Sequence, residues 1–296
     1  MHMRTLIPVL AVAISASALP AQSDARKAVD DLLAIDRDYA NRAKTISAAD
    51  GMAAMFADDI TVNALGSLHK GREAATAMLR GMPDNQGARI EWAPIRGGIS
   101  GDGQHGFTYG FMTLVKADST RVPLKYLSYW IKGAAGWKVA VYRRAPRPPG
   151  DVSTAMREPS LPERTVPVSK DAAAIARYAG EVGDAERAFS ALAGKIGIGP
   201  AFTQNSAPDA MNMGGPQSAN FLFGPQEIGA GVGGGENGPS QLTWGPDDNV
   251  LAAYSGDLGV TIGYINVPGN QGQPARRIPF FTVWKKVGGV WKFVAE

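Results

Sequence analysis

The stretch that decides the fold is present twice in this chain. Residues 126–142 read YLSYWIKGAAGWKVAVY, and residues 280–296 read FFTVWKKVGGVWKFVAE. Aligned without gaps, the two segments share Trp130 with Trp284, Lys132 with Lys286, Trp137 with Trp291, and Lys138 with Lys292. Each segment places aromatic and β-branched residues on both sides of a glycine turn, which is typical of a β-hairpin. The repetition predicts one such hairpin in each of two related domains.

Further landmarks occur in the same order in both halves of the chain. They pair Asp36 with Glu186, Tyr39 with Phe189, Trp92-Ala93-Pro94 with Trp244-Gly245-Pro246, and residues 100–110 (SGDGQHGFTYG) with residues 255–263 (SGDLGVTIG). A chance match would not preserve several anchors in sequence order, so we infer that a domain was duplicated.

The domain boundaries follow from composition. The chain has 296 residues, which suits two domains, and residues 144–170 contain six prolines and little apolar periodicity, which predicts a linker. Domain 1 is then residues 24–143 and domain 2 residues 171–296. In both halves, helical spacing comes first and closely spaced strands follow, so the predicted fold class is α+β with helices on one face of a curved antiparallel sheet.

The first residues predict export. Residues 1–21 carry one arginine, a largely apolar run and then small residues, which is the layout of a secretory signal peptide with cleavage after residue 18 or 21. The apolar run is short for a membrane span. The chain has no cysteine, which excludes a lipidated cysteine and disulfides. We therefore expect a periplasmic or secreted protein without a membrane span.

Composition also narrows the function classes. The formal net charge is only +3, and no basic run alternates with aromatic residues, so nucleic acid is not an expected partner. Beyond the first 21 residues only His69 and His105 remain, without a carboxylate cluster beside them, so no metal site is predicted. Residues 229–234 (GAGVGG) match a phosphate-loop pattern, but no helix signal follows them, and a flexible loop is the prediction.

Several motifs of domain 1 resemble the nuclear transport factor 2-like superfamily, especially its SnoaL-like, ketosteroid isomerase-like and uncharacterised bacterial branches. They are MFADDITV at 55–62, GREAA at 71–75, and a meander that ends in WIKGAAGWKV at 130–139. The resemblance covers residues 28–143, and residues 180–296 through the first helix and the final strands. It implies two cone-shaped domains, each a bent sheet around helices with a pocket inside. It also implies that domain 2 covers the sheet of domain 1 as an intramolecular pseudo-dimer, and further oligomerisation stays open.

The resemblance also suggests site residues. The isomerase pattern puts its phenol at Tyr39, its base at Ala64 and its second acid near Leu127, so two of three catalytic groups are missing and that reaction is not expected. We expect domain 1 to bind a small, largely apolar molecule without a cofactor. The expected lining residues are Tyr39, Phe56, Asn63, Leu127 and Tyr129.

Asp36 stands on an apolar helix face, where a buried charge needs a partner. It is either a pocket acid with a raised pKa or a structural acid bonded to a backbone amide, to Arg72 or to an arginine of the other copy. We favour the structural role, since both copies carry the acid. The alternative function is a lyase, isomerase or hydrolase that uses Asp36 with Tyr39 or Asn63 as acid-base groups.

Overall fold

The computed structural model describes residues 18–233, 238–270 and 272–296. Most of the predicted signal peptide, residues 1–17, lies outside the described residues, and helix α1 begins at Ala18. Domain 1 contains α1 (Ala18–Ala43), α2 (Ala48–Ala53), β1 (Phe56–Ala64), β2 (Ser67–Lys70), α3 (Arg72–Gly81), β3 (Arg89–Ile99), β4 (His105–Val115), β5 (Arg121–Gly133) and β6 (Gly136–Pro146). None of the helices in the described ranges is long and apolar enough to cross a membrane.

Domain 2 repeats these elements one for one. It contains α4 (Ala172–Ile196), α5 (Ile198–Asn205), β7 (Ser206–Asn212), β8 (Leu222–Phe223), α6 (Gly224–Val232), β9 (Thr243–Ala252), β10 (Leu258–Val267), β11 (Arg276–Val287) and β12 (Val290–Ala295). The strand orders are β2-β1-β6-β5-β4-β3 and β8-β7-β12-β11-β10-β9. In each sheet the first and last strands of the domain pair in parallel, and the other neighbours are antiparallel. The predicted α+β fold of two related domains is confirmed.

Capping residues are present at the starts of helices α2 and α4. The predicted capping box at the start of α2 is present, because the amide of Asp50 donates to Ser47 Oγ at 3.1 Å. At the start of α4, the carboxylate of Asp171 accepts from the amides of Ala173 and Ala174 at 3.0 and 3.2 Å. Each long helix then lies against the inner face of its own sheet, α1 on β3 and α4 on β9.

The middle of domain 2 differs from the sequence-based expectation. The resemblance covers residues 180–296 only through the first helix and the final strands, whereas α5, β7, β8 and α6 lie between these in the order found in domain 1. The predicted flexible loop at 229–234 is wrong for residues 229–232, which end helix α6, while residue 234 lies outside the described part. A Cβ on Gly229 would lie 2.8 Å from the carbonyl oxygen of Gly199, so these glycines allow α5 and α6 to pack closely.

Residues 157–166 of the linker, here called the strap, hold both domains. The strap lies along edge strand β3, where the amide of Ser160 donates to the carbonyl of Gly97 at 2.9 Å. Further contacts of the strap reach domain 2. Lys285 Nζ donates to the carbonyl of Leu161 at 3.2 Å, and the amide of Gly288 donates to Glu163 Oε1 at 2.6 Å. The linker is therefore extended and bonded on both sides.

The two domains pack through the outer faces of their sheets. Phe221 of domain 2 lies with its ring centroid 5.1 Å from those of both Tyr109 and Phe111 of domain 1. The buried Arg96 donates to the carbonyl oxygen of Asp209 at 2.6 Å and to its carboxylate at 3.1 Å. One continuous apolar cluster joins the outer face of the first sheet to the core of domain 2. Because this cluster removes apolar side chains of both domains from water, the contact between the domains is stabilising.

Candidate functional site

Asp36 is fully buried, and its carboxylate is satisfied by side chains of strands β3 and β5. Trp92 Nε1 donates to Oδ1 at 2.6 Å, and the hydroxyl of Tyr126 donates to Oδ2 at 2.8 Å. Burial raises the pKa of Asp36, and these hydrogen bonds oppose that rise. The proposed partner Arg72 is instead bonded to the carbonyl of Phe56 at 2.7 Å, so the prediction of an Arg72 partner is wrong.

Tyr39 and Phe56 lie in the interior of domain 1. Tyr39 is buried, and its hydroxyl accepts from Lys138 Nζ at 2.8 Å. The ring of Phe56 packs against that of Tyr142 with centroids 5.6 Å apart. Both residues therefore have partners within the domain, and the roles predicted for them remain untested.

Asn63, Leu127 and Tyr129 face the other way, toward domain 2. Asn63 Nδ2 donates to the carbonyl of Pro279 at 2.9 Å, and the hydroxyl of Tyr129 shares a hydrogen bond of 2.9 Å with His105 Nδ1. Successive residues of a strand point to opposite faces, which separates this group from the interior of the cone. The five residues predicted to line one pocket thus divide between two faces of the sheet, and Asp36 does not meet Asn63.

The interior of domain 2 lacks two rings that fill domain 1. The repeat places Ser206 at the position of Phe56, and the two residues occupy equivalent places in the parallel strand pairs of their sheets. It places Glu296 at the position of Tyr142, whose hydroxyl lies 3.5 Å from the sulfurs of two methionines. Because protein interiors are closely packed, replacing two rings by smaller side chains leaves space.

The space beside Glu296 is an apolar cavity of about 60 Å³ in domain 2, and Ser206 is not among its lining residues. Aromatic and aliphatic side chains line it together with one acid, namely Phe189, Ile198, Phe202, Leu242, Trp244, Ile265, Phe280 and Glu296. Such a lining, mostly apolar with one polar group, is what small-molecule sites have in common. The volume is less than half of the ~150 Å³ of a cavity that binds benzene, so the cavity as it stands suits a molecule of few atoms, and a ring enters it only if lining side chains move.

The carboxyl group of Glu296 is the polar group of this cavity. Burial and the nearby charge of Glu186 raise its pKa to about 8, and the charge of Arg143 from domain 1 opposes the rise. Near neutral pH the group is mainly protonated, and a protonated carboxyl can donate a hydrogen bond. The cavity therefore offers a donor to an oxygen atom of a bound molecule.

Glu186 repeats the acid-indole bond of domain 1. Trp244 Nε1 donates to its Oε1 at 2.7 Å, Trp284 Nε1 donates to its Oε2 at 3.0 Å, and Thr261 donates to Oε2 as well. Burial raises the pKa of Glu186. Where domain 1 has a shorter acid with Tyr126, domain 2 has a longer acid with Phe280. The aligned Trp-x-Pro motifs were the signal for this bond, although the sequence did not show that their indoles reach the helix acids.

The histidines do not gather into a site. Burial lowers the pKa of His105 to about 4, and its ring lies at the contact between the domains. His69 pairs with Val62 in the β1-β2 hairpin. Within residues 18–233, 238–270 and 272–296, no group of three or more His, Cys, Asp or Glu side chains is placed to hold a metal ion.

Solved structures similar to this chain have nuclear transport factor 2-like, cystatin-like and ketosteroid isomerase-like folds. One is a nuclear transport factor 2-like protein with a cystatin-like fold from Novosphingobium aromaticivorans, 14% identical, covering 46% of this chain and 92% of that chain with a TM-score of 0.36. A domain of unknown function from Nostoc punctiforme is 18% identical and covers 40% of this chain and 77% of that chain, with a TM-score of 0.33.

A ketosteroid isomerase-like protein from Erwinia carotovora atroseptica is 14% identical and covers 43% of this chain and 96% of that chain, with a TM-score of 0.31. No protein-family model and no curated protein matches the chain. The strand orders and helix positions of both domains fit the fold that the sequence-based resemblance implies, and the similarity to these solved structures extends no further than the fold.

Proposed function

We propose that this chain binds a small, largely apolar molecule in the cavity of domain 2. The observation that carries the proposal is the lining of that cavity, which is apolar except for the carboxyl group of Glu296. A protonated Glu296 donates a hydrogen bond to a carbonyl or hydroxyl oxygen of the ligand, while the aromatic side chains contact its ring. The ligand class is therefore a small aromatic or alicyclic compound with one oxygen acceptor.

Domain 1, where the sequence placed the ligand, has less support. The ring of Tyr142 stands at the position of Glu296, with its hydroxyl 3.5 Å from the sulfurs of Met52 and Met112, and the hydroxyl of Tyr39 is already bonded to Lys138. The alternative of acid-base catalysis by Asp36 with Tyr39 or Asn63 is weakened as well, because the carboxylate accepts from Trp92 and Tyr126 and Asn63 lies on the other face. A binding role in domain 2 fits the observations better than either.

Two further parts of the proposal come from the sequence. The layout of residues 1–21 supports export to the periplasm or the medium, and the mass of the mature protein after secretion tests it, since a retained Met1 would contradict cleavage. The contact between the outer faces of the sheets supports an intramolecular pseudo-dimer, in which one domain covers the sheet of the other. Sedimentation equilibrium would reveal whether full-length chains associate further.

The binding test uses benzaldehyde as the probe, followed by ligand-observed NMR. We expect binding to the wild type near pH 6 and weaker binding above pH 8, because Glu296 then loses the proton that it donates. Glu296→Gln, whose amide still donates, should bind without this pH dependence. Glu227→Gln, an exposed acid of domain 2, is the matched control and should behave as the wild type. Binding that is indifferent to pH and to both variants would contradict the proposal.

A further inference from the structure

Lys125 of domain 1 is a fully buried lysine whose ammonium group lies among backbone carbonyls of domain 2. It donates to the carbonyl of Met213, and to those of Ser218 and Asn220 at 2.7 and 3.1 Å. All three belong to residues 213–221 between β7 and β8, here called the arm. The ammonium group thereby supplies donors to three carbonyls of one segment.

The arm is a feature of domain 2 alone. In domain 1 the equivalent strands β1 and β2 are joined by the tight turn at Leu65 and Gly66, both of which have positive φ angles. The arm is longer than this turn and reaches across to the first sheet. There Phe221 packs on Tyr109 and Phe111, so the arm is anchored by one ring and one ammonium group.

The first residue of the arm also holds the acid of the cavity. The amide of Met213 donates to a main-chain oxygen of Glu296 at 2.6 Å, and the amide of Glu296 donates to the carbonyl of Met211 at 3.1 Å. Asn212 Nδ2 lies 3.5 Å from Glu296 Oε2. Met213 is therefore bonded to Lys125 through its carbonyl and to Glu296 through its amide.

We propose that Lys125 is a positioning residue for the cavity of domain 2, and that domain 1 fixes the place and hydration of the Glu296 carboxyl group through the arm. The meaning of this control for a ligand rests on the proposed function, whereas the contacts themselves do not. Burial, with the charges of Arg147 and Arg143 nearby, lowers the pKa of Lys125 to about 8.

The test replaces Lys125 by cysteine and restores the amine chemically. Because the chain has no cysteine of its own, bromoethylamine treatment of the unfolded K125C variant followed by refolding gives a lysine analogue at this position alone. Two readouts need no ligand: hydrogen exchange at the Met213 amide, and the titration of Glu296 followed by NMR of ¹³C-labelled glutamate, assigned by its loss in E296Q.

In K125C we expect the Met213 amide to exchange at least tenfold faster and the Glu296 midpoint to fall by about one unit or more, because a loosened arm admits water to the carboxyl group. Aminoethylation should reverse both changes. K138C is the matched control, since Lys138 donates to the carbonyl of Ala54 at 2.9 Å within domain 1, and it should change neither readout.

A second variant covers the case in which K125C does not fold. Phe221→Leu loosens the arm without removing a charge and should move both readouts in the same direction by a smaller amount. Unchanged Met213 exchange and an unchanged Glu296 titration in a folded K125C or F221L protein would overturn the inference. If both readouts move while benzaldehyde binds neither to the wild type nor to any variant, the positioning role stands and the proposed function fails.

Discussion

Asp102 and Asp257 each accept a hydrogen bond from the backbone of the other's turn. Asp102 Oδ2 accepts from the amide of Ser255 at 2.9 Å, and the carboxylate of Asp257 accepts from the amide of Gly101 at 3.0 and 3.1 Å. These acids are equivalent in the duplicated sequence, so each S-G-D turn completes the other. A Cβ on Gly101 would lie 2.5 Å from the carbonyl oxygen of Arg164 in the strap, which explains the glycine between serine and acid.

This exchange predicts coupling between the two acids. Asp102→Asn and Asp257→Asn should each lower the free energy of unfolding by about 1–3 kcal/mol, because each weakens a buried bond to a carboxylate. The double variant should lose at least about 0.5 kcal/mol less than the sum, since the first change already loosens both turns. Urea unfolding measures the cycle. Asp118→Asn, in an exposed turn within domain 1, is the control, and strict additivity of the first pair would contradict the coupling.

The buried acids of the two long helices, Asp36 of α1 and Glu186 of α4, predict a compensating pair of substitutions in domain 1. Tyr126→Phe removes a donor from the buried carboxylate of Asp36 and should lower the free energy of unfolding by about 1–3 kcal/mol. In domain 2, Phe280 accompanies the longer Glu186. We therefore expect the double variant D36E/Y126F to be more stable than the sum of the single effects by at least about 0.5 kcal/mol in urea unfolding. A double variant as unstable as that sum, or worse, would show that the two copies are not interchangeable here.

His105 predicts a loss of stability in mild acid. Its pKa is lowered from 6.5 to about 4 in the folded chain, mainly by burial. Between these values the folded state binds fewer protons than the unfolded state, so the free energy of unfolding falls as the pH falls from 6.5 to 4, by at most about 3 kcal/mol.

The raised pKa of Glu296 acts in the opposite direction, because its contribution to stability is lost as the pH rises through about 8. The His105 effect is therefore read from the difference between wild type and His105→Gln in urea unfolding at several pH values. This difference should change between pH 4 and 6.5 and be constant above. A constant difference throughout would contradict the assignment.

Glu296→Tyr predicts a domain 2 that is filled as domain 1 is. The substitution introduces the residue found at the equivalent position, Tyr142, and should occupy the cavity of about 60 Å³. Benzaldehyde binding should disappear. The free energy of unfolding should stay within about 1 kcal/mol of the wild type, because removing a desolvated acid offsets the cost of fitting the larger ring. Full probe binding in a folded E296Y protein would place the binding site elsewhere.

Much of the architecture was predictable because the residues shared by the two copies include several tryptophans. The pairs Trp92 with Trp244 and Trp130 with Trp284 fixed the alignment, and strand periodicity with turn residues supplied the meander. The middle of domain 2 was missed because its glycines and prolines are typical of loops. There they serve close helix packing instead, as at Gly199 and Gly229.

The site was less predictable than the fold. The grouping of Tyr39, Asn63 and Leu127 failed because the face on which a strand residue lies depends on register and bulges, and the sheet shifts register between Tyr129 and Trp130. The cavity was not foreseen either. It lies beside Glu296, where domain 1 has the ring of Tyr142, and its lining comes from helices and strands that are distant in sequence.

The apolar outer face of the first sheet has a consequence for folding during synthesis. Domain 1 can complete its own six strands once residue 146 has emerged, but Tyr109, Phe111 and Leu127 belong to an apolar cluster that domain 2 completes. Strand β12 closes domain 2 last, about 150 residues later. At the usual speed of translation, this delay leaves the apolar outer face of the first sheet exposed on the nascent chain for roughly 8 to 30 s. During that interval a holdase chaperone has a binding surface on domain 1 that the finished chain no longer offers.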